Sequence, residues 1–248
     1  MYFNDVHIIY YVAIAILGAI TGKIANYANY RLIEQKKILS LDFFRKRYNK
    51  NYLMILSNIV LYVSILYKFG IQSTLAANLE LIKYLILIPM LLLVFAIDYK
   101  LQIIPNRLTL TIFEAGLIIT FLYGLLNTAI TINMILGMIA GGGIFLLITL
   151  LGRVILGKDA IGLGDVKLMC GLGLFFGLTN ILIISLTSFL IAAVISIILL
   201  ITKNKKASES ISFGPFIVIA SVISILVPLN TILNILVKIC TLGLYKNN

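Results

Sequence analysis

From Ile181 to Ile201 the chain reads ILIISLTSFLIAAVISIILLI, an apolar stretch without one charged side chain. An α-helix of that length rises about 30 Å at 1.5 Å per residue, which matches the hydrocarbon thickness of a bilayer. A barrel strand would need apolar and polar residues in alternation, and none is present. The stretch predicts a transmembrane helix.

Similar runs lie at Ile8 to Tyr30, Tyr52 to Tyr67, Leu81 to Ile97, Leu108 to Leu126, Asn133 to Leu151, Val166 to Gly177 and Phe213 to Leu229. Together they predict an all-α, polytopic integral membrane protein with about eight transmembrane helices. A single membrane-embedded domain over 1–248 is expected, with a short basic cytoplasmic loop at 31–51. The run after Asp165 is the shortest. Its Gly171, Gly173 and Gly177 predict a helix enclosed by neighbouring helices rather than by lipid. Thr231 to Tyr245 is short and carries Lys238, so it is expected at the membrane interface. The chain opens Met1-Tyr2-Phe3-Asn4-Asp5 without basic residues, and its first apolar run is too long for a cleavable signal, so that run should persist as a helix.

Composition agrees. Of 248 residues 61% are hydrophobic and 12% charged, and the mean hydropathy is +1.11. That leaves too little polar surface for a water-exposed globule. Lys and Arg number 20 against 9 acids, a net charge of +11. The cations sit between the apolar runs, so they report topology and contact with anionic lipid rather than nucleic acid. Arg31, Lys36, Lys37, Arg45, Lys46, Arg47, Lys50, Lys100, Arg107, Arg153, Lys158, Lys167, Lys203, Lys205 and Lys206 share one side. Lys68, Lys83, Lys238 and Lys246 fall on the other. The crowded side is expected to be cytoplasmic, which places both termini outside in a plasma (inner) membrane protein.

Cys170 and Cys240 show no CxxC spacing, so they read as small apolar fillers, and no metal site is expected. His7 has no partner nearby in sequence and precedes the first span, which suits an interfacial residue.

The acids carry more information, because a carboxylate in hydrocarbon costs roughly 2.5–3.5 kcal/mol on insertion scales. Asp98 closes the run ending at Ile97, at the negative end of a helix dipole, which argues against a purely structural cap. Lys100 could pair with it. Asp165 lies in Gly162-Leu163-Gly164-Asp165-Val166-Lys167, where the glycines permit a tight turn and an N-cap role would suffice. In the eight-helix layout both acids reach cytoplasmic helix ends at similar depth, so they can meet. Two carboxylates a few ångströms apart beneath apolar walls cannot both be charged. Such a pair can hold a water between them, one acid drawing off its proton while the other donates to a carbonyl, the logic of aspartic proteases.

Four ordered blocks resemble the type IV prepilin peptidases, membrane aspartic proteases of the GxGD class. Gly22-Lys23-Ile24-Ala25-Asn26-Tyr27-Ala28-Asn29-Tyr30-Arg31-Leu32 is similar to the family's GSFLNVVIYRLP. Ile97-Asp98 through Ile104-Pro105-Asn106-Arg107-Leu108-Thr109 is similar to IDxxxxxIPDxLT. Gly162 to Met169 reads GLGDVKLM, and Ile211-Ser212-Phe213-Gly214-Pro215-Phe216 is similar to PFGPF. The resemblance implies catalytic roles for Asp98 and Asp165. It also implies substrate-binding or supporting roles for Gly162, Gly164, Lys167, Asn26 and Arg31. The activity it implies is removal of a short basic leader, cut after its final Gly, from prepilins or pseudopilins at the cytoplasmic face. The partners are thus the substrate peptide and membrane lipid.

This chain departs from the pattern in specific ways. Many family members bind zinc through two CxxC pairs in the first cytoplasmic loop and also methylate the new N-terminus with S-adenosylmethionine. The stretch Leu32 to Lys50 contains no cysteine. Peptidase activity implies no cofactor, and S-adenosylmethionine is implied only if methyl transfer is retained. Lys23 replaces the family's Ser, Ile33 a Pro, and Asn106 an Asp.

Glu114, about two turns into its helix, is expected to hydrogen-bond a neighbouring helix, with substrate binding as the alternative. Lys167 could steer the acids or simply follow the charge bias. Lys23, Asn26 and Tyr30 recur at helical spacing and give the first helix a polar face, either packed or lining a peptide cleft. Gly137 and Gly141-Gly142-Gly143 lie mid-span and read as close-packing positions rather than a phosphate loop.

Two rivals stay open. Other GxGD intramembrane proteases carry a Pro-Ala-Leu motif that this chain lacks. A proton-coupled transporter would show matching inverted halves, which the sequence does not display.

Overall fold

The computed structural model describes residues 2–3, 6–33, 51–74, 76–157, 161–202 and 212–240. Lys36, Lys37, Arg45, Lys46, Arg47 and Lys50 of the basic loop, Lys158, Lys203, Lys205, Lys206, Ile211, and the end of the 231–245 segment with Lys246 lie outside the described residues. Apart from a two-residue antiparallel ribbon, β1 (Tyr2–Phe3) with β2 (Val6–His7), the elements are helices. They are α1 (Ile8–Ile33), α2 (Tyr52–Phe69), α3 (Leu79–Leu101), α4 (Asn106–Gly124), α5 (Thr128–Leu156), α6 (Leu163–Ile201), α7 (Gly214–Leu226) and α8 (Leu229–Cys240). α1 to α6 are long and apolar enough to cross a membrane, and α7 and α8 are shorter apolar helices. The protein is an all-α, multi-pass membrane protein. It divides into two compact units, Met1–Leu108 and Thr109–Asn248.

In the first unit α1, α2 and α3 pack through small residues and buried polar links. Gly18 and Gly22 bring α1 against the α2 backbone: a Cβ on either would stand 3.1 Å from the Cα of Ile59 or Ile55. Asn58 of α2 crosses that seam and donates to the Gly18 carbonyl at 2.7 Å and to Thr21 Oγ1 at 2.8 Å. The Tyr62 hydroxyl donates to the Leu85 carbonyl, fixing α2 against α3. Between helices in lipid, such bonds and close contacts replace the hydrophobic effect as the source of specificity. Near the start of α3 Lys83 is buried, 3.8 Å from Glu80 and over the ring of Tyr84.

The second unit is organised around α5 and α6. α6 is not one continuous rod, because Gly177 takes φ 72°, ψ 178°, a conformation closed to side chains with a Cβ. The chain reverses there. A Cβ on Gly141 of α5 would lie 2.6 Å from the Met169 carbonyl oxygen and 2.9 Å from Ile181 Cγ1. In a straight helix those two residues would stand about 18 Å apart. The arms 163–176 and 178–201 therefore form a helical hairpin on one face of α5, and α6 supplies the two spans that the sequence predicts at Val166 to Gly177 and Ile181 to Ile201. With α1 to α5, α7 and α8 this gives nine apolar helical segments among the described residues, α7 and α8 being shorter than a membrane span.

The first arm is enclosed, as its glycines require. Gly171 packs on Ile112 of α4, and a Cβ on Gly173 would fall onto the Gly137 carbonyl of α5. Gly141 and Gly142 also meet this arm, whereas Gly143 has nothing within 4 Å, so the glycine run packs through two of its three members. Phe145 of α5 stacks on Phe189 of the second arm at 5.4 Å and meets Phe213 edge-on at 5.7 Å. α8 lays Ile232 and Leu236 against Ile183.

Candidate active site

In the first unit Asp98 occupies the last turn of α3 and is 4% exposed. The run Leu91, Val94, Ile97 buries one side of the helix and carries Asp98 inward with it. Its backbone carbonyl accepts the Gln102 N–H at 2.9 Å, and Gln102 ends the helix in the left-handed region at φ 55°. Pro105 then opens the turn into α4, accepting the Leu108 N–H at 2.9 Å. Lys100 does not pair with Asp98. Two positions along a helix point in nearly opposite directions, and Lys100 is exposed without an ion pair among the described residues.

In the second unit Asp165 sits in the first turn of α6 and is 8% exposed. The cap is Gly162, with extended backbone at φ −68°, ψ 143° and no side-chain capping bond. The simple N-cap reading of Asp165 is thereby corrected: the residue lies inside the helix, its N–H donating to the Gly162 carbonyl at 3.0 Å. A Cβ on Gly162 would stand 3.3 Å from Asp165 Oδ2, so the glycine leaves room for the carboxylate to lie back over the turn. Thr149 Oγ1 of α5 reaches both the Phe145 and Ile161 carbonyls, at 2.8 and 3.2 Å, which holds the approach to this turn. Gly164 is half-buried, and Lys167 is exposed and engaged in further contacts.

The two carboxylates thus occupy opposite kinds of helix end. Asp98 faces the negative end of α3's dipole and Asp165 the positive end of α6's. Both are buried.

The remaining candidates fall in the last turns of α1. Arg31 is buried, and its Nε donates to the Tyr27 hydroxyl at 2.9 Å while the guanidinium lies over that ring at 5.5 Å. Asn26 is 2% exposed, and its Nδ2 has no hydrogen-bond partner among the described residues; the same holds for Oδ1 of the buried Asn29. Sequence reasoning missed Tyr27 and Asn29, although the i, i+4 spacing of Tyr27 and Arg31 signals the pair. Of the expected polar face of α1, Asn26 is buried, Tyr30 half-buried and Lys23 exposed. Glu114 is also exposed and makes no hydrogen bond among the described residues, so the bond to a neighbouring helix does not form. Its position on α4 lies on the face opposite Ile112 and Ile119, which are buried. In the fourth block, Phe213 precedes α7 and joins Phe145, Phe189 and Phe216 in a ring cluster.

Comparison with known proteins adds an independent observation. The profile of the Type IV leader peptidase family matches residues 85–197, which contain Asp98 and Asp165 but neither the first nor the fourth block. The chain is 29% identical over 157 residues to "Prepilin leader peptidase/N-methyltransferase" of Aeromonas hydrophila, covering 63% of this chain and 53% of that protein. It is 34% identical over 126 residues to the protein of that name from Xanthomonas campestris pv. campestris, covering 50% and 42%. With that of Escherichia coli (strain K12) it shares 28% over 132 residues, covering 52% and 56%. The chain spans about half the length of the curated relatives it matches. No solved structure matches it.

Proposed function

From the match of residues 85–197 to the Type IV leader peptidase family, we propose that this chain belongs to that family and is a membrane aspartic endopeptidase removing the leader of type IV prepilins or pseudopilins. The observation that carries the reading is the burial of Asp98 and Asp165 at helix ends inside the matched stretch. Consecutive spans alternate direction, so the end of α3 and the start of α6 belong to one membrane face. The excess of Lys and Arg in the connecting segments supports the cytoplasmic side of a plasma (inner) membrane for that face.

The proposed chemistry needs only the two acids. Sharing one proton, they hold a water between them; the charged acid takes the water's proton and the neutral one donates to the scissile carbonyl. The substrate's apolar helix docks laterally in the bilayer, which holds the peptide bond at the depth of the acids. Asn26 and Arg31, with Gly162, Gly164 and Lys167, are the proposed supporting residues.

Methyl transfer appears in the relatives' printed names. S-adenosylmethionine would supply a methyl cation equivalent to the newly exposed amine. The cavity lined by Val6, His7, Tyr10, Gln72 and Ser73 offers no carboxylate among those residues to meet a sulfonium cation, so it is not assigned to that cofactor.

The test uses purified protein in lipid and a synthetic prepilin. Asp98→Asn and Asp165→Asn should each abolish cleavage while leaving helical content and thermal unfolding unchanged. Cleavage retained by both variants ends the proposal.

A further inference from the structure

Two opposite charges outside the proposed catalytic pair face outward near the middle of their helices. On α4, Leu110, Leu117, Ile118 and Phe121 form an exposed apolar stripe with Glu114 in its centre. On α1, Ile16, Ile20 and Ile24 form another, and it carries Lys23. Neither Lys23 nor Glu114 makes an ion pair or hydrogen bond among the described residues.

Their depths match. α1 ends and α4 begins on the same membrane face, since α2 and α3 intervene. Lys23 lies about 15 Å along the helix from Ile33, and Glu114 about 12 Å from Asn106. Each is thus near the bilayer midplane, too deep for a glutamate to reach the headgroups and at the limit of lysine snorkelling. Lipid supplies no counter-charge there. A membrane-embedded group at the same depth must, and this chain carries one of each sign.

We propose that the protein self-associates in the bilayer, Lys23 of one copy pairing with Glu114 of a second copy across the outward faces of α1 and α4. Every copy offers both charges, so the Lys23 of each copy meets the Glu114 of another. The apolar residues around each charge then pack against protein rather than lipid, and both carboxylate and ammonium are neutralised where solvation is poorest. The inference depends on the membrane-spanning reading and not on the peptidase reading.

The experiment follows energy transfer between donor- and acceptor-labelled copies of the full chain at low density in lipid vesicles. Wild type should associate. Lys23→Glu alone and Glu114→Lys alone should each weaken self-association by about tenfold or more, since both place like charges at one interface. A mixture of the two variants should associate again, because each then meets the opposite sign on the other. That rescue cannot arise from pairing within one chain. Glu114→Gln removes the outward-facing charge at little risk to folding and should weaken association in the same direction. Wild type that stays monomeric, single variants that associate like wild type, or a mixture without rescue overturns the proposal. Cleavage activity unaffected in Glu114→Gln, alongside lost association, separates this result from failure of the peptidase reading.

Discussion

The side chain of Asn133 on α5 accepts the N–H of Leu178 at 3.2 Å, immediately past the point where α6 breaks at Gly177. The second arm starts without a preceding turn to receive its first N–H groups, and one of them is satisfied by a residue 45 positions earlier in the chain. The hairpin of α6 is therefore fastened to α5 by an exposed polar contact near the start of α5.

Gly177→Ala should be strongly destabilising. The backbone at φ 72°, ψ 178° excludes a Cβ, and the added methyl would come within 2.5 Å of Asn133 Nδ2. A loss of about 1–3 kcal/mol is expected from the backbone alone. Asn133→Ala should cost less, about 1–2 kcal/mol. Unfolding in mild detergent measures both; an unaltered midpoint for Gly177→Ala contradicts the break.

The glycines of α5 and α6 separate into those that carry packing and those that do not. Gly173→Ala puts a methyl onto the Gly137 carbonyl, so the α5–α6 contact must open and the unfolding midpoint should fall by several degrees or the protein should fail to fold. Gly143→Ala meets open space and should be neutral or slightly stabilising, by about 0.5–1 kcal/mol from helix propensity. Equal effects from the two substitutions would contradict the packing described for α5.

Much of this was legible beforehand, for a physical reason. Backbone groups in hydrocarbon must satisfy one another within a helix, so an uncharged run such as Ile181 to Ile201 declares its structure without reference to neighbours. The glycine density of 171–177 likewise announced an enclosed arm. Side-chain destinations were harder to read. Glu114 was expected to be inside and faces out, because the hydrophobic pattern around it is apolar on all sides and does not say which face meets protein. Asp165 looked like an N-cap because Asp commonly is one, but the chain turns at Gly162 first. Tyr27 escaped notice because an aromatic residue in an apolar helix resembles ordinary core until its hydroxyl is seen against Arg31.

Tyr27→Phe tests that last contact. It removes the hydroxyl that accepts from the buried Arg31 Nε, so stability should fall by about 1.5–3 kcal/mol, the range for a hydrogen bond to a charged group. Arg31→Lys should not rescue it, since an ammonium lacks the planar group that lies over the Tyr27 ring. Chemical denaturation in detergent provides the readout; wild-type stability for Tyr27→Phe would show that Arg31 is held by other contacts.

The proposed peptidase chemistry requires Asp98 and Asp165 to work together. The most direct test replaces Cys170 and Cys240 with Ser and introduces Asp98→Cys together with Asp165→Cys. Disulfide formation requires Cα atoms roughly 4.4–6.8 Å apart. Mild oxidation, or a short thiol-to-thiol linker, should join the two positions in the folded protein within lipid, seen by intact mass and by loss of free thiol. Two thiols that both react with a small maleimide yet never join to each other, by either route, would contradict it.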